Sequence, residues 1–261
     1  MRYNIHFVCV SHIGNVRAVN QDNYICAGQY IELNDTNAKE LLVGTVSSTS
    51  KTLFGVFDGM GGEECGEVAA YIAAKSATSL EIGSNPISDL SQFCYKTNEE
   101  LCDYVNENNI TSMGTTVAML AFTSKDITLC NVGDTKIFHI SNGIIEKISR
   151  DHLAVSAFGV KPPLSQNLGI PSEELIIEPY FAQGVYADGD TFLICSDGLT
   201  DMLTLDEILE GIKSNSLPKA CQFLLEKALE KGGKDNITIV LLNIKKEKRK
   251  FLSFLEKRRE K

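Results

Sequence analysis

Five aspartates follow apolar, strand-like runs: they stand in Asn20-Gln21-Asp22, Phe57-Asp58-Gly59, Gly133-Asp134, Cys195-Ser196-Asp197-Gly198 and Lys234-Asp235-Asn236. Carboxylates so far apart in sequence, all at strand tips, can converge on one rim of a sheet sandwich. An all-oxygen rim of that kind collects hard divalent cations such as Mg²⁺ or Mn²⁺. The chemistry it suggests is metal-assisted hydrolysis. Two cations about 3.5–4 Å apart lower the pKa of a bridging water toward neutrality and offset the charge of an incoming phosphate dianion. Without cations, crowded carboxylates repel one another and their pKa values rise.

The elements that must position these side chains are legible in outline. Strands are predicted over residues 5–11, 24–31 and 52–57, separated by turns containing Gly, Asn or Asp. The third runs into Asp58-Gly59-Met60-Gly61-Gly62, where glycines let the backbone turn sharply and approach a ligand. An Ala-rich helix follows from Glu67, and a second helix spans 89–106 with Leu90, Phe93, Leu101 and Val105 near helical spacing. Strands return at 116–122, 127–132, 136–140 and 144–148, with Ser141-Asn142-Gly143 as a hairpin turn. Residues 151–190 hold four of the six prolines and read as an irregular surface excursion. Strand 191–195, helices 205–213 and 218–231, and strand 237–244 complete the chain. Strands, two helices, strands, two helices, strand is an α+β plan: two antiparallel sheets packed face to face with helices outside.

Composition narrows the class. A chain of 261 residues that is 43% hydrophobic and 23% charged can bury a full core. The net charge of −9 argues against a nucleic-acid partner, which clustered Lys and Arg would hold. Eight cysteines show no Cys-x-x-Cys pair and several sit in apolar runs, as small core residues of a reducing, cytoplasmic protein do. No run approaches the ~20 apolar residues of a membrane span. Residues 245–261 differ: nine Lys or Arg against three Glu, with Phe251, Leu252, Phe254 and Leu255 as an apolar stripe. This basic amphipathic tail is set apart from a domain over 1–244. Packing on that domain is preferred to contact with anionic lipid.

The ordered motifs resemble the PP2C-type (PPM) metal-dependent Ser/Thr protein phosphatases in their compact bacterial form. They are Arg17-Ala18-Val19-Asn20-Gln21-Asp22, Val56-Phe57-Asp58-Gly59-Met60-Gly61-Gly62, Gly114-Thr115-Thr116 with Asn131-Val132-Gly133-Asp134, Ser149-Arg150-Asp151-His152, Cys195-Ser196-Asp197-Gly198-Leu199-Thr200-Asp201, and Lys234-Asp235-Asn236-Ile237-Thr238. The resemblance implies a four-layer αββα sandwich with two Mn²⁺ or Mg²⁺ ions in the cleft between the sheet edges. By the same resemblance Asp58 bridges the metals, the Gly59 carbonyl adds a ligand, and Asp197 and Asp235 bind the first metal. Asp22 orients water from behind, and Asp134 and Asp201 match a third, weaker metal position. Arg17 matches the phosphate clamp, for which a guanidinium fork is suited.

The chain also departs from that pattern. Gln21 stands where many relatives have Glu, Met60 where eukaryotic members have a histidine general acid, and Glu63 where bacterial members often have His. The proton donor to the leaving group is thus unassigned. His152 is read as a loop hydrogen-bonder. A cysteine-based phosphatase is excluded, because no cysteine is followed six positions later by Arg. Gly61 and Gly66 have P-loop spacing, but Glu67 replaces the lysine. The reading is a cytoplasmic, monomeric phosphatase that removes phosphate from phosphoserine and phosphothreonine in proteins and opposes a Ser/Thr kinase. Its rival is a pseudophosphatase, the same fold kept as a binding module. Against it, all the metal aspartates are present.

Overall fold

The computed structural model of the chain describes residues 2–33, 40–60, 65–124, 126–156 and 162–247. Two antiparallel sheets lie face to face. One contains β1 (Tyr3–His12), β3 (Leu42–Ser47), β8 (Lys136–Ser141), β9 (Ile144–Lys147), β11 (Thr191–Cys195) and β12 (Ile237–Lys246), in the spatial order β3-β1-β12-β11-β8-β9. The other contains β2 (Asp22–Cys26), β4 (Thr52–Met60), β6 (Val117–Phe122), β7 (Asp126–Val132) and β10 (Tyr180–Val185), in the order β10-β7-β6-β4-β2, and a short β5 (Gly114–Thr115) pairs antiparallel with the end of β4. Helices α1 (Gly66–Thr78) and α2 (Pro86–Asn108) cover the second sheet. Helices α4 (Leu205–Lys213) and α5 (Leu217–Glu230) cover the first, and α3 (Asp197–Thr200) is a single turn.

Side chains alternate across a strand, so each strand feeds two cores. In β1, Ile5, Phe7 and Cys9 face the other sheet while Val8 and Val10 face the helices. In β4, Phe54 and Val56 point between the sheets while Leu53 and Phe57 meet α1 and α2. The central layer is rich in aromatics: Phe54 and Phe122 meet edge to face at 5.8 Å, as do Phe122 and Phe192. Phe54 is fully buried, and burying a side chain of that size contributes roughly 1.5–3 kcal/mol. Both faces of both sheets are covered, which is why these strands read as almost unbroken apolar runs. The four-layer αββα sandwich is as expected.

The helices are bounded by local chemistry. Five alanines of α1 (69, 70, 73, 74 and 77) are buried, so this helix lies close on its sheet. Pro86 opens α2 behind the Asn85 cap, and Asn109 closes it in the left-handed conformation at φ 53°. A capping box of Thr204 and Glu207 starts α4, satisfying two otherwise unpaired backbone donors.

Several elements differ from the sequence expectation. The strand expected over 24–31 ends at Cys26, because Ala27 and Gly28 turn the chain at φ 52° and 86°. The excursion over 151–190 contains β10, an edge strand whose last three residues are exposed and which lacks strict alternation. Two further strands are not anticipated: the two-residue β5, and β3, which is also an edge, with Val43 half exposed. The final strand continues past residue 244: Lys245 and Lys246 pair with Asn4 and Tyr3. Residues 248–261, and with them the apolar stripe of the tail, lie outside the described residues, as do Gly61, Gly62 and Glu63.

Candidate active site

Antiparallel register brings the acidic motifs to one end of the sandwich. In the second sheet Asp22 and Asp58 are direct cross-strand partners on β2 and β4. Opposed residues point to the same face, so these two carboxylates lie side by side, an arrangement that costs stability when both are charged. In the first sheet β11 ends beside the start of β12, with Cys195 opposite Ile239. Asp197 therefore leaves one strand next to the point where Asp235 enters the other. The end of β1 joins the same corner, His12 pairing with Ile237. From there the loop over residues 13–21 crosses to β2 and carries Arg17 over the edge.

Close backbone packing makes the corner possible. A Cβ on Gly59 would lie 2.1 Å from the Gly66 carbonyl oxygen and 2.4 Å from that of Gln21. A Cβ on Gly198 would lie 1.9 Å from the Asn236 carbonyl oxygen. Only glycine allows α3 to start directly against β12, and only glycine lets the first turn of α1 meet β4. The peptide of Asp58 is held by threonines: its N–H donates to Thr116 Oγ1 at 3.0 Å, and its carbonyl accepts from the Thr116 N–H at 2.9 Å and from Thr115 Oγ1 at 3.1 Å.

The carboxylates interact strongly. Burial pushes Asp58 well above the usual carboxylate range, and the charges of Asp22, Asp197, Asp134 and Asp235 add to it. Burial also raises Asp22 to about 7. Two hydroxyl donors oppose the rise, while Asp197 and Asp235 reinforce it. Those donors are Ser196 Oγ and Thr238 Oγ1, each 2.7 Å from Asp22 Oδ2. Ser11 lies 2.7 Å behind Thr238, and Asn20 donates to Ser11 at 2.8 Å. This hydroxyl network fixes one oxygen of Asp22. Ser196, Thr238 and Asn20 sit inside the motifs read from the sequence and Ser11 ends the first strand, but small polar residues there announce no role until the fold closes.

Arg17 reaches into the acidic corner: its Nη2 lies 2.7 Å from Asp235 Oδ2, and the charges of Asp58 and Asp197 also favour its charged form. Asp134 is buried after Gly133, which turns at φ 94°. Asp201 is exposed one helical turn beyond Asp197, whose carbonyl accepts its N–H at 2.8 Å. His152 is a loop hydrogen-bonder as expected, with Nδ1 accepting from the Gly133 N–H at 3.1 Å.

Among the described residues, no three acidic, imidazole or thiol side chains close around a single point that would take an ion. Asp235 is instead paired with Arg17, and Asp22 is bonded to two hydroxyls. The donor set nonetheless fits a hard divalent cation. It is all oxygen, it is acidic, and burial together with neighbouring like charge already raises two of its members, a cost that a cation relieves.

Comparison with known proteins agrees with this architecture. Residues 42–231 match the model of protein phosphatase 2C, and the chain belongs to that family. The matched span holds Asp58, Asp134, Asp197 and Asp201; Arg17, Asp22 and Asp235 lie outside it. The serine/threonine phosphatase stp of Listeria monocytogenes is 28% identical over 207 residues, covering 72% of this chain and 82% of that protein. The crystal structure of the Mycobacterium tuberculosis serine/threonine phosphatase PstP superposes with a TM-score of 0.77 at 23% identity, covering 93% of this chain and 100% of that one. The catalytic domain of PstP in complex with two manganese ions superposes with a TM-score of 0.76 at 24% identity, covering 94% and 100%. Among the described residues no helix is long and apolar enough to cross a membrane.

Proposed function

We propose that this chain is a metal-dependent phosphatase that hydrolyses phosphoserine and phosphothreonine in proteins, acting in the cytoplasm against a Ser/Thr kinase. The observation that carries the reading is the meeting of Asp22 and Asp58 from one sheet with Asp197 and Asp235 from the other, with a guanidinium at their margin. Asp58, Asp197, Asp235 and the Gly59 carbonyl would hold two cations, Mn²⁺ or Mg²⁺, and Asp134 and Asp201 a weaker third. Such cations make water acidic enough to attack a phosphoester near neutral pH and offset the charge of the phosphate.

The chain's own groups do the remaining work. Ser196 and Thr238 both donate to one oxygen of Asp22, committing it to them and leaving the other for water at the acidic corner in this reading. There it accepts a proton or a hydrogen bond from water. Arg17 is half exposed, so its fork can exchange the Asp235 oxygen for phosphate oxygens as substrate arrives. Residues 1–244 form the phosphatase domain in this reading, residues 245–261 a basic appendage, and the chain acts as a monomer.

The test is hydrolysis of p-nitrophenyl phosphate and a phosphothreonine peptide with Mn²⁺, Mg²⁺ or EDTA, using the parent protein, Asp58→Asn and Asp197→Asn. Turnover should require the cation and vanish in both variants. Full activity in EDTA or in either variant refutes the mechanism. No turnover at any cation concentration assigns the chain to a binding role instead.

A further inference from the structure

We propose that Asn236 is a positioning residue for phosphate capture, fixing the loop that carries Arg17 onto the strand that carries Asp235. This deepens, and rests on, the phosphatase reading. Asn236 is only 5% exposed, and a buried amide needs partners within the protein. Its side chain finds three, all on one loop. Oδ1 accepts from the Gln21 N–H at 2.8 Å, and Nδ2 donates to the carbonyls of Ile13 at 2.9 Å and Val19 at 3.0 Å. These contacts bracket Arg17 on both sides. On its other flank Asn236 donates its backbone N–H to Asp235 Oδ1 at 2.8 Å, and its carbonyl accepts from Ser196 Oγ at 3.4 Å. One residue thus ties the loop to both acidic strand ends.

The surroundings point the same way. The chain at Gly14 lies so close that a Cβ there would be 2.2 Å from the Asp235 carbonyl oxygen. The Asn15 N–H donates to the Gly233 carbonyl at 2.7 Å, and Asn15 Nδ2 donates to those of Leu229 and Gly232 at 2.9 and 3.2 Å. Arg17 has a long side chain that is 52% exposed, so its placement depends on the backbone beneath it. Ordering a guanidinium before the substrate arrives lowers the entropic cost of capture. Alanine at 236 removes all three side-chain contacts and leaves every carboxylate in place.

Two measurements test this: a double-mutant cycle, and amide hydrogen exchange on the metal-free protein. Asn236→Ala should lower kcat/KM for a phosphothreonine peptide about tenfold, mainly through KM, and leave Mn²⁺ affinity by calorimetry within about twofold. In an Arg17→Ala background the same change should cost less than about twofold, because the residue it positions is gone. Asn15→Ala, at an exposed site, should act in the same direction, and it carries the cycle if Asn236→Ala folds poorly. In exchange experiments the Asn236 variant should lose protection at Asn15 and Gln21 while β12 keeps it. A full tenfold loss in the Arg17→Ala background overturns the proposal, as does unchanged loop protection. Because the exchange experiment involves no turnover, its outcome is separate from whether the chain proves to be a phosphatase.

Discussion

Arg17 Nη2 and Asp235 Oδ2 are bonded at 2.7 Å, although one is the proposed phosphate clamp and the other a proposed cation ligand. The bond leaves the guanidinium where an incoming dianion would meet it, and an acid with a cation to hold no longer needs the arginine as its neutralising partner.

Removing that guanidinium should weaken substrate capture. A charged hydrogen bond contributes about 1.5–3 kcal/mol, so Arg17→Ala is expected to lower kcat/KM by roughly 10- to 150-fold. Arg17→Lys should recover only part of this, because an ammonium cannot present a planar fork. Steady-state kinetics on a phosphothreonine peptide decide it; a loss under about twofold would remove Arg17 from the site.

The metal-free protein should become less stable as pH rises. Asp22 is raised from its ordinary 3.8 to about 7, so between those values the folded chain keeps a proton that the unfolded chain has released. Stability is then full below pH 3.8, as far as this group is concerned, and is lost as pH rises through 7. Asp58 is shifted the same way and adds to the slope. Thermal melts in EDTA between pH 5.5 and 8 should show Tm falling with pH, more shallowly in Asp22→Asn. A Tm that rises across that window, or an unchanged slope in the variant, contradicts the assignment.

Gly198 tolerates no side chain. Alanine there meets the Asn236 carbonyl at 1.9 Å, a backbone atom that cannot swing aside. Gly198→Ala should destabilise the protein by about 1–3 kcal/mol or more and reduce cation affinity, because Asp197 and Asp235 are pushed apart. Urea denaturation together with Mn²⁺ titration measures both, and wild-type values in the two would show that the corner can relax.

Phe54 tests the central core. It is fully buried between Phe7 and Phe122, so Phe54→Ala should cost about 3–5 kcal/mol through lost burial and a residual cavity. A urea midpoint close to that of the parent would show that the sheets close the gap.

Much of this was legible in the chain, for identifiable reasons. Strands buried on both faces, such as β4 and β12, announce themselves as apolar runs. The aspartates stand at the tips of those runs, where Gly or Asn marks the turn. Edge strands do not announce themselves: the burial of β3 alternates weakly, and the end of β10 faces solvent. The contacts that make the site a unit are equally silent. Asp22 and Asp58 read as separate motifs, and only strand register makes them neighbours. Ser196, Thr238 and Asn236 are small polar residues beside conspicuous acids. Their hydrogen bonds span up to 227 residues of chain, beyond the reach of any local pattern.

Each sheet supplies half of the acids, Asp22 and Asp58 from one and Asp197 and Asp235 from the other. In the proposed mechanism neither half retains a fraction of the chemistry by itself. A chain whose layers have slipped or not yet docked is therefore catalytically silent, however much secondary structure it keeps. Turnover in this protein would report on the seating of the two layers, and lesions deep in the aromatic interior would surface as lost activity far from where they were made.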